Sequence, residues 1–240
     1  MSPYENLLLV EDFRRVGLIS LVREGCEEGV LTLTSKQPFG YTSDCENLRI
    51  RNLNLFLRKI GDRNFLFAFF EYAGTDIDST DVVLCDQPWF AALTPSLEAH
   101  PRVSADGHPW MRMELINVVG PTLPAASEGE PVARLGFMSG VRPEKELWYR
   151  TLHLTNWPGV IDQIARSHTR YWVTFMIEFG EELFLFTYCE YLGIDKAADD
   201  TAMAADPVTQ RWWTHTEPCL IPLEPGGGTW TAMHALLDRE

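Results

Sequence analysis

The sequence predicts an α+β fold made of two tandem ferredoxin-like units, each an antiparallel sheet with helices on one face, packed as an intramolecular pseudo-dimer. Two observations carry this expectation. The chain repeats itself: VGLISLVR from Val16 matches LGFMSGVR from Leu135, and FLFAFFEY from Phe65 matches FLFTYCEY from Phe184, each pair 119 residues apart (135 − 16 and 184 − 65). Within each copy the residue pattern reads strand, helical region, hairpin, helical region, strand. A chain of 240 residues would bury a sizeable core as one domain or two, so the repeat rather than the length suggests the division. The expected boundaries are residues 1–119, a linker at 120–132 and residues 133–240.

The second copy justifies its elements in order. ARLGFMSGV (133–141) alternates small and apolar residues as a strand does. Pro143 opens a helix at a position that needs no N–H, and Glu144 and Glu146 suit the positive end of its dipole; this helix is PEKELWYRTLHL. A second helix follows Asn156 as WPGVIDQIARSH, with Val160, Ile161, Ile164 and Ala165 at core spacing. Residues 170–191 read as a hairpin turning at Phe179, Gly180 and Glu181. Its first strand puts Tyr171, Val173, Phe175 and Ile177 on one face and Trp172, Thr174, Met176 and Glu178 on the other. Helices are expected at 195–204 and 206–214, the latter with Asp206 as N-cap and Pro207 at N1. After the glycines 226–228 comes a last strand, TWTAMHALL. The first copy repeats the plan and ends in WMRMELINVV, and GPTLPAASEGEP then has the small, Pro-rich composition of a linker.

Composition narrows the function. Hydrophobic residues make up 45% of the chain and no apolar run is long enough to span a bilayer, so no membrane partner is expected. The start, MSPYENLLLVEDFRRVG, lacks the basic, apolar and small-residue pattern of a signal peptide, which suggests a cytoplasmic protein. The five cysteines are odd in number and form no CxxC pair, arguing for reduced packing residues. A net charge of −14 opposes a nucleic-acid partner, since phosphate binding draws on clustered Lys and Arg, and favours a neutral or weakly charged ligand. His168, His215 and His234 form no metal-ligand spacing with a carboxylate, so no metal site is expected.

One stretch stands out: ADPVTQRWW, ending in the adjacent pair Trp212 and Trp213. Together with Tyr149-x-x-x-His153, the following Trp157 and Pro158, Arg170 and Tyr171 at the start of the hairpin, and FLFTYCEY, it makes the second half resemble the L-rhamnose mutarotases. The resemblance runs from about Leu135 to Leu237. That family is a dimeric α+β barrel, usually a homodimer, and it works without a cofactor. The resemblance implies a catalytic pair at His153 and Tyr149 and substrate-binding residues at Tyr171, Trp212 and Trp213. It also implies a monosaccharide substrate, L-rhamnose or a related 6-deoxy or acidic sugar. Further homodimerisation of the fused chain is left open.

The residue types suit the chemistry. Interconverting anomers needs one proton removed from the anomeric hydroxyl and one delivered to the ring oxygen. Histidine, with an unperturbed pKa of about 6.5, accepts or donates near neutrality, and tyrosine stays protonated as donor or orienting group. A spacing of four places Tyr149 and His153 on one helix face. Tryptophan offers a flat apolar surface to the C–H face of a pyranose. Adjacent helical residues point about 100° apart, so one tryptophan is expected at the ligand and the other in packing.

Subtracting 119 turns Tyr149 into Val30, His153 into Thr34, Tyr171 into Asn52, and Trp157 and Pro158 into Pro38 and Phe39. After a shortened loop the tryptophan pair becomes Trp89 and Phe90. The first half therefore reads as a degenerate copy serving as built-in partner, with Thr34, Asn52 and Trp89 as a conceivable non-catalytic sugar pocket. Two alternatives compete with an aldose mutarotase: a non-catalytic sugar-binding or regulatory protein on the same scaffold, and a cofactor-free oxygenase of the dimeric α+β barrel type.

Overall fold

A computed structural model describes residues 13–35, 45, 47–74, 84–85, 87–103, 108–124 and 131–237. The N-terminal run through residue 12, Pro38 and Phe39, and linker residues 125–130 lie outside them. The described residues fall into two compact units, one within 13–114 with 233–237, the other within 115–232.

In the first of these, strand β1 (Arg14–Val22) is followed by helix α1 (Glu27–Ser35) and the hairpin β2 (Ile50–Ile60) and β3 (Arg63–Tyr72). The short helix α2 (Pro88–Ala91) and the strands β4 (Leu97–Glu98) and β5 (Met111–Arg112) complete this part of the chain. The antiparallel order is β4, β1, β3, β2, with β5 also pairing β1. The core beneath it is continuous, joining Leu18, Leu66 and Phe70 of the sheet to Val30, Phe90 and Trp110.

Strand β6 (Glu114–Val119) carries the chain into the other unit, which continues with β7 (Ala133–Val141), α3 (Glu146–His153), α4 (Pro158–Arg166) and the hairpin β8 (Thr169–Phe179) and β9 (Glu182–Tyr191). Helices α5 (Lys196–Ala205) and α6 (Pro207–Thr216) and the short β10 (Leu220–Ile221) follow. The order is β7, β9, β8, β6, with β10 also pairing β7. The last strand, β11 (Thr231–Ala235), returns to the first-half unit, where His234 and Ala235 pair with Leu57 and Phe56 of β2. Each copy therefore ends in a strand counted with the other copy's unit.

Strand spans recur at the repeat distance. Arg14–Val22, Ile50–Ile60 and Arg63–Tyr72 become Ala133–Val141, Thr169–Phe179 and Glu182–Tyr191 on adding 119. The hairpins turn at Gly61 (φ 56°) and Gly180 (φ 67°), and positive φ also recurs at Arg49 (57°) and His168 (52°) just before β2 and β8. Glycine takes that conformation without the Cβ clash a larger residue meets, which fixes the tight turns. The ion pair Arg51–Glu71 (2.8 Å) recurs as Arg170–Glu190 (2.9 Å).

Most expected elements of the second half appear within a residue or two. The differences are local. Pro143–Lys145 is a tighter 3-10 turn ahead of α3, α4 starts after Trp157 rather than at it, and the last strand is shortened to Thr231–Ala235. Phe175, Phe184 and Phe186 are fully or almost fully buried, each worth about 1.5–3 kcal/mol of burial.

Candidate functional site

The site begins at the end of α3, an eight-residue helix whose apolar side carries Tyr149 inward while Leu147 and Trp148 face solvent. Tyr149 is 2% exposed, its ring set among Val141, Met176, Leu185, Cys219 and Leu220. One turn later His153 lies with its ring centroid 4.3 Å from that of Tyr149. Nδ1 of His153 is 2.9 Å from the Tyr149 carbonyl oxygen. A carbonyl only accepts, so Nδ1 carries the proton, and in the neutral ring Nε2 holds the lone pair.

Burial pushes the His153 imidazole below its ordinary range, with the bond to the Tyr149 carbonyl opposing it. Burial also drives the Tyr149 hydroxyl well above the usual phenol range, and Cys219 adds to the effect. The two groups are thus poised apart: a neutral base, and a hydroxyl that keeps its proton. Among the described residues that hydroxyl has no hydrogen-bond partner, and it is not one of the buried polar atoms sealed from the cavity beside it.

The tryptophan pair arrives on α6, where the local sequence dictates the start. Asp206 caps the helix, its Oδ2 accepting from the Thr209 N–H at 2.8 Å, and Pro207 occupies N1. That bond, first among the causes, holds the Asp206 carboxyl below its ordinary range, and Arg166 pairs with it at 3.3 Å. Trp212 then projects inward, edge-on to His153 at 5.3 Å and to Trp157 at 5.3 Å. Arg211 covers the other ring of that contact, its guanidinium carbon 5.4 Å from the Trp157 centroid.

These side chains enclose a cavity of about 250 Å³. Tyr149, His153, Trp212 and Trp213 all border it. Both tryptophans do so although they point about 100° apart, Trp212 buried and Trp213 half-buried. At the small end of ligand cavities, this volume suits one ring-sized molecule rather than an oligosaccharide.

Tyr171 does not join them. Its ring lies under the Arg170 guanidinium (4.4 Å), on the opposite face of β8 from Trp172, and it is Trp172 that borders the cavity. Tyr171, expected at the ligand, does not border this cavity: neighbours in a strand face opposite ways, and β8 meets the cavity through Trp172. Trp172 is held by stacking on Phe137 (6.2 Å, 10°) and by an edge contact with Trp230 (6.2 Å, 87°).

Other wall residues escaped the sequence reading. Asn117 comes from β6, Asn156 from the turn after α3, and Gln163 from α4. The Gln163 amide is used on both sides, donating to Ser167 (3.1 Å) and accepting from Arg166 (2.8 Å). Asn156 had a signal, lying between His153 and Trp157 where an amide flanks two aromatic rings; Asn117 had none, because its strand pairs far along the chain. Among the described wall residues no lysine or arginine appears, and Glu217 is the sole carboxylate.

The first-half counterparts sit differently. Val30 is wholly buried, and Thr34 Oγ1 donates to the Val30 carbonyl at 2.9 Å, repeating the bond of His153 without its chemistry. Phe90 stacks on Trp110 at 4.7 Å, so packing takes the interior there. A groove beside α1 borders Thr34 but not Asn52 or Trp89, leaving those three without a common pocket in it.

Residues 134–236 match the L-rhamnose mutarotase family model. The mutarotase match thus takes in β7 through β11 and every residue of the cavity except those of β6. No curated protein sequence matches the chain. Among solved structures, a candidate monooxygenase from Fusobacterium nucleatum subsp. nucleatum superposes with TM-score 0.52 at 11% identity, covering 92% of each chain. A candidate monooxygenase from Lactobacillus acidophilus gives 0.46 at 8%, over 92% of this chain and 94% of that one. An anthrone oxidase-like protein gives 0.47 at 10%, over 91% and 89%. The first of these likenesses shows the fold, a mixed α and β chain with antiparallel sheet, and nothing of the chemistry. No helix among the described residues is long and apolar enough to cross a membrane.

Proposed function

We propose that the protein is an aldose mutarotase acting on L-rhamnose or a related neutral sugar, with His153 as its acid/base group. The observation that carries this reading is the His153–Tyr149 pair on one helix, facing an aromatic cavity inside the segment that matches the mutarotase family. In the forward step Nε2 of His153 removes the proton from the C1 hydroxyl. The C1–O1 bond becomes a carbonyl as the C1–O5 bond breaks, and the imidazolium returns the proton to O5. Rotation about C1–C2 exposes the other face, and the reverse sequence closes the ring. O1 and O5 are bonded to the same carbon, so one imidazole serves both. Tyr149, kept protonated by burial, donates a hydrogen bond to the oxygen that carries negative charge.

Trp212, Trp213 and Trp172 supply flat apolar faces for the pyranose. A wall without lysine or arginine and with one carboxylate favours a neutral sugar over the sugar acid that the sequence left open. In the same reading the chain is a tandem fusion of two ferredoxin-like units of the dimeric α+β barrel type, residues 1–119 being a degenerate copy and 133–240 the working one. The repeat spacing of strands, turns and ion pairs supports the duplication, and Val30 and Thr34 in place of Tyr149 and His153 support the degeneracy. The test is magnetisation transfer between the anomeric protons of L-rhamnose with wild type and His153→Ala: acceleration by wild type alone upholds the reading, and equal rates in both discard it.

A further inference from the structure

Two amides in the cavity wall have no part in the proton transfers. Asn156 Nδ2 donates to Asn117 Oδ1 at 2.8 Å, and both residues border the cavity. Asn117 is 6% exposed, so its amide sits in a nearly dry environment where every unmade hydrogen bond is costly. The bond to Asn156 uses one acceptor of Asn117 and one donor of Asn156. The Asn117 NH2 group and the Asn156 carbonyl then have no protein partner among the described residues, and neither is among the polar atoms sealed from the cavity. The inverse assignment of both amides leaves the same pair of groups, one NH2 and one carbonyl, so the conclusion does not hang on amide orientation.

A donor and an acceptor fixed side by side match two neighbouring hydroxyls, each of which both donates and accepts. We propose that Asn117 and Asn156 form an amide clamp that binds a vicinal diol of the sugar away from C1, so that the first copy of the repeat supplies a specificity residue to the working site. Asn117 precedes the linker in sequence and ends the first copy, yet it belongs to the unit Leu115–Ala232 that contains His153. The degenerate copy is thereby more than a packing partner: a chain beginning at residue 133 lacks this donor. The mutual bond between the amides orients both before a ligand arrives, which lowers the ordering cost of binding. The clamp rests on the mutarotase reading for the identity of its ligand, and on the geometry of the two amides for its existence.

The experiment uses the full chain, with L-rhamnose and its single-deoxy analogues at C2, C3 and C4 as probes. Anomeric exchange gives KM and kcat, and quenching of tryptophan fluorescence gives Kd. Asn117→Ala and Asn156→Ala are expected to raise KM about fivefold to tenfold and to leave kcat within about twofold, because a bond made equally in ground and transition state is lost. For the analogue lacking a clamped hydroxyl the variants and wild type should bind alike. Asn117→Leu retains the volume, guarding against collapse of the wall, but neither donates nor accepts, and should weaken binding as Asn117→Ala does. Unchanged KM and Kd in folded variants, or a loss equal for every deoxy analogue, overturns the clamp while leaving the mutarotase reading in place. Absence of exchange in wild type discards that reading instead; Kd then decides the clamp alone, weaker binding in the variants upholding it and equal binding overturning it.

Discussion

Replacing Tyr149 by phenylalanine removes one oxygen beside the cavity, and the structure predicts opposite consequences for stability and activity. The ring is 2% exposed and packs among five apolar or sulfur-bearing side chains, all of which phenylalanine would keep. The hydroxyl makes no hydrogen bond to the described protein, so its removal forfeits none. Burying a hydroxyl without a protein partner carries a penalty of about 1–3 kcal/mol at the most, and the variant is therefore expected to be as stable as wild type or slightly more so. Activity should move the other way. A hydrogen bond to an oxygen gaining charge is worth about 1.5–3 kcal/mol, which corresponds to a roughly 10- to 150-fold loss in kcat/KM at about 1.4 kcal/mol per factor of ten. Urea melts and anomeric exchange on the same preparation read the two quantities. A variant destabilised by about 2 kcal/mol, or one with wild-type kcat/KM, would refute the reasoning, the first because the hydroxyl would then be structural and the second because it would be idle.

The remaining predictions concern pH, the cap and the buried ion pair. Because burial lowers the His153 pKa and the base form is the active one, kcat/KM should be flat above about pH 7 and fall on acidification with a midpoint below the ordinary 6.5; a midpoint above 6.5 contradicts the assignment. The same shift makes folding less favourable as pH falls through the unfolded-state value, since the unfolded chain then binds more protons, so the urea midpoint should decline from about pH 6.5 downward. Asp206→Ala removes the N-cap bond to Thr209 and should cost about 1 kcal/mol, with the fluorescence of the adjacent tryptophan helix broadened or shifted; an unchanged melt would mean that the cap is redundant. Arg170→Met removes the guanidinium paired with the buried Glu190 carboxylate at 2.9 Å, and should destabilise by about 3 kcal/mol in a urea melt, where a loss under 1 kcal/mol would argue that the pair contributes little.

Local signals were readable where local physics decides. Asp206 and Pro207 start α6 because a side-chain acceptor and a missing N–H both suit a helix N-terminus. Gly180 turns the hairpin because its backbone lies at positive φ, and Tyr149 and His153 meet because four residues make about one helical turn. The side chain chosen from β8 was not readable. Alternation separates Tyr171 from Trp172, but which face meets the helices depends on packing, and the shift in register between Thr169 and Tyr171 lies at that point. Asn117 was invisible for a different reason. Its strand lies before the linker and pairs with β8, about fifty residues on. Such a contact leaves no trace in spacing or composition, and the boundary drawn at the linker separated the residue from the cavity it borders.

The central claim, that the His153 cavity turns over the anomers of a neutral sugar, is tested most directly by measuring the anomeric exchange rate of L-rhamnose against concentration of the full chain, with tryptophan fluorescence recorded on the same samples. The exchange rate should rise in proportion to protein while the sugar quenches the cavity tryptophans, and should return to the buffer value in His153→Ala with quenching retained. Quenching by the sugar with exchange held at the buffer value in wild type would contradict it, and would leave a protein that binds a sugar and does not turn it over.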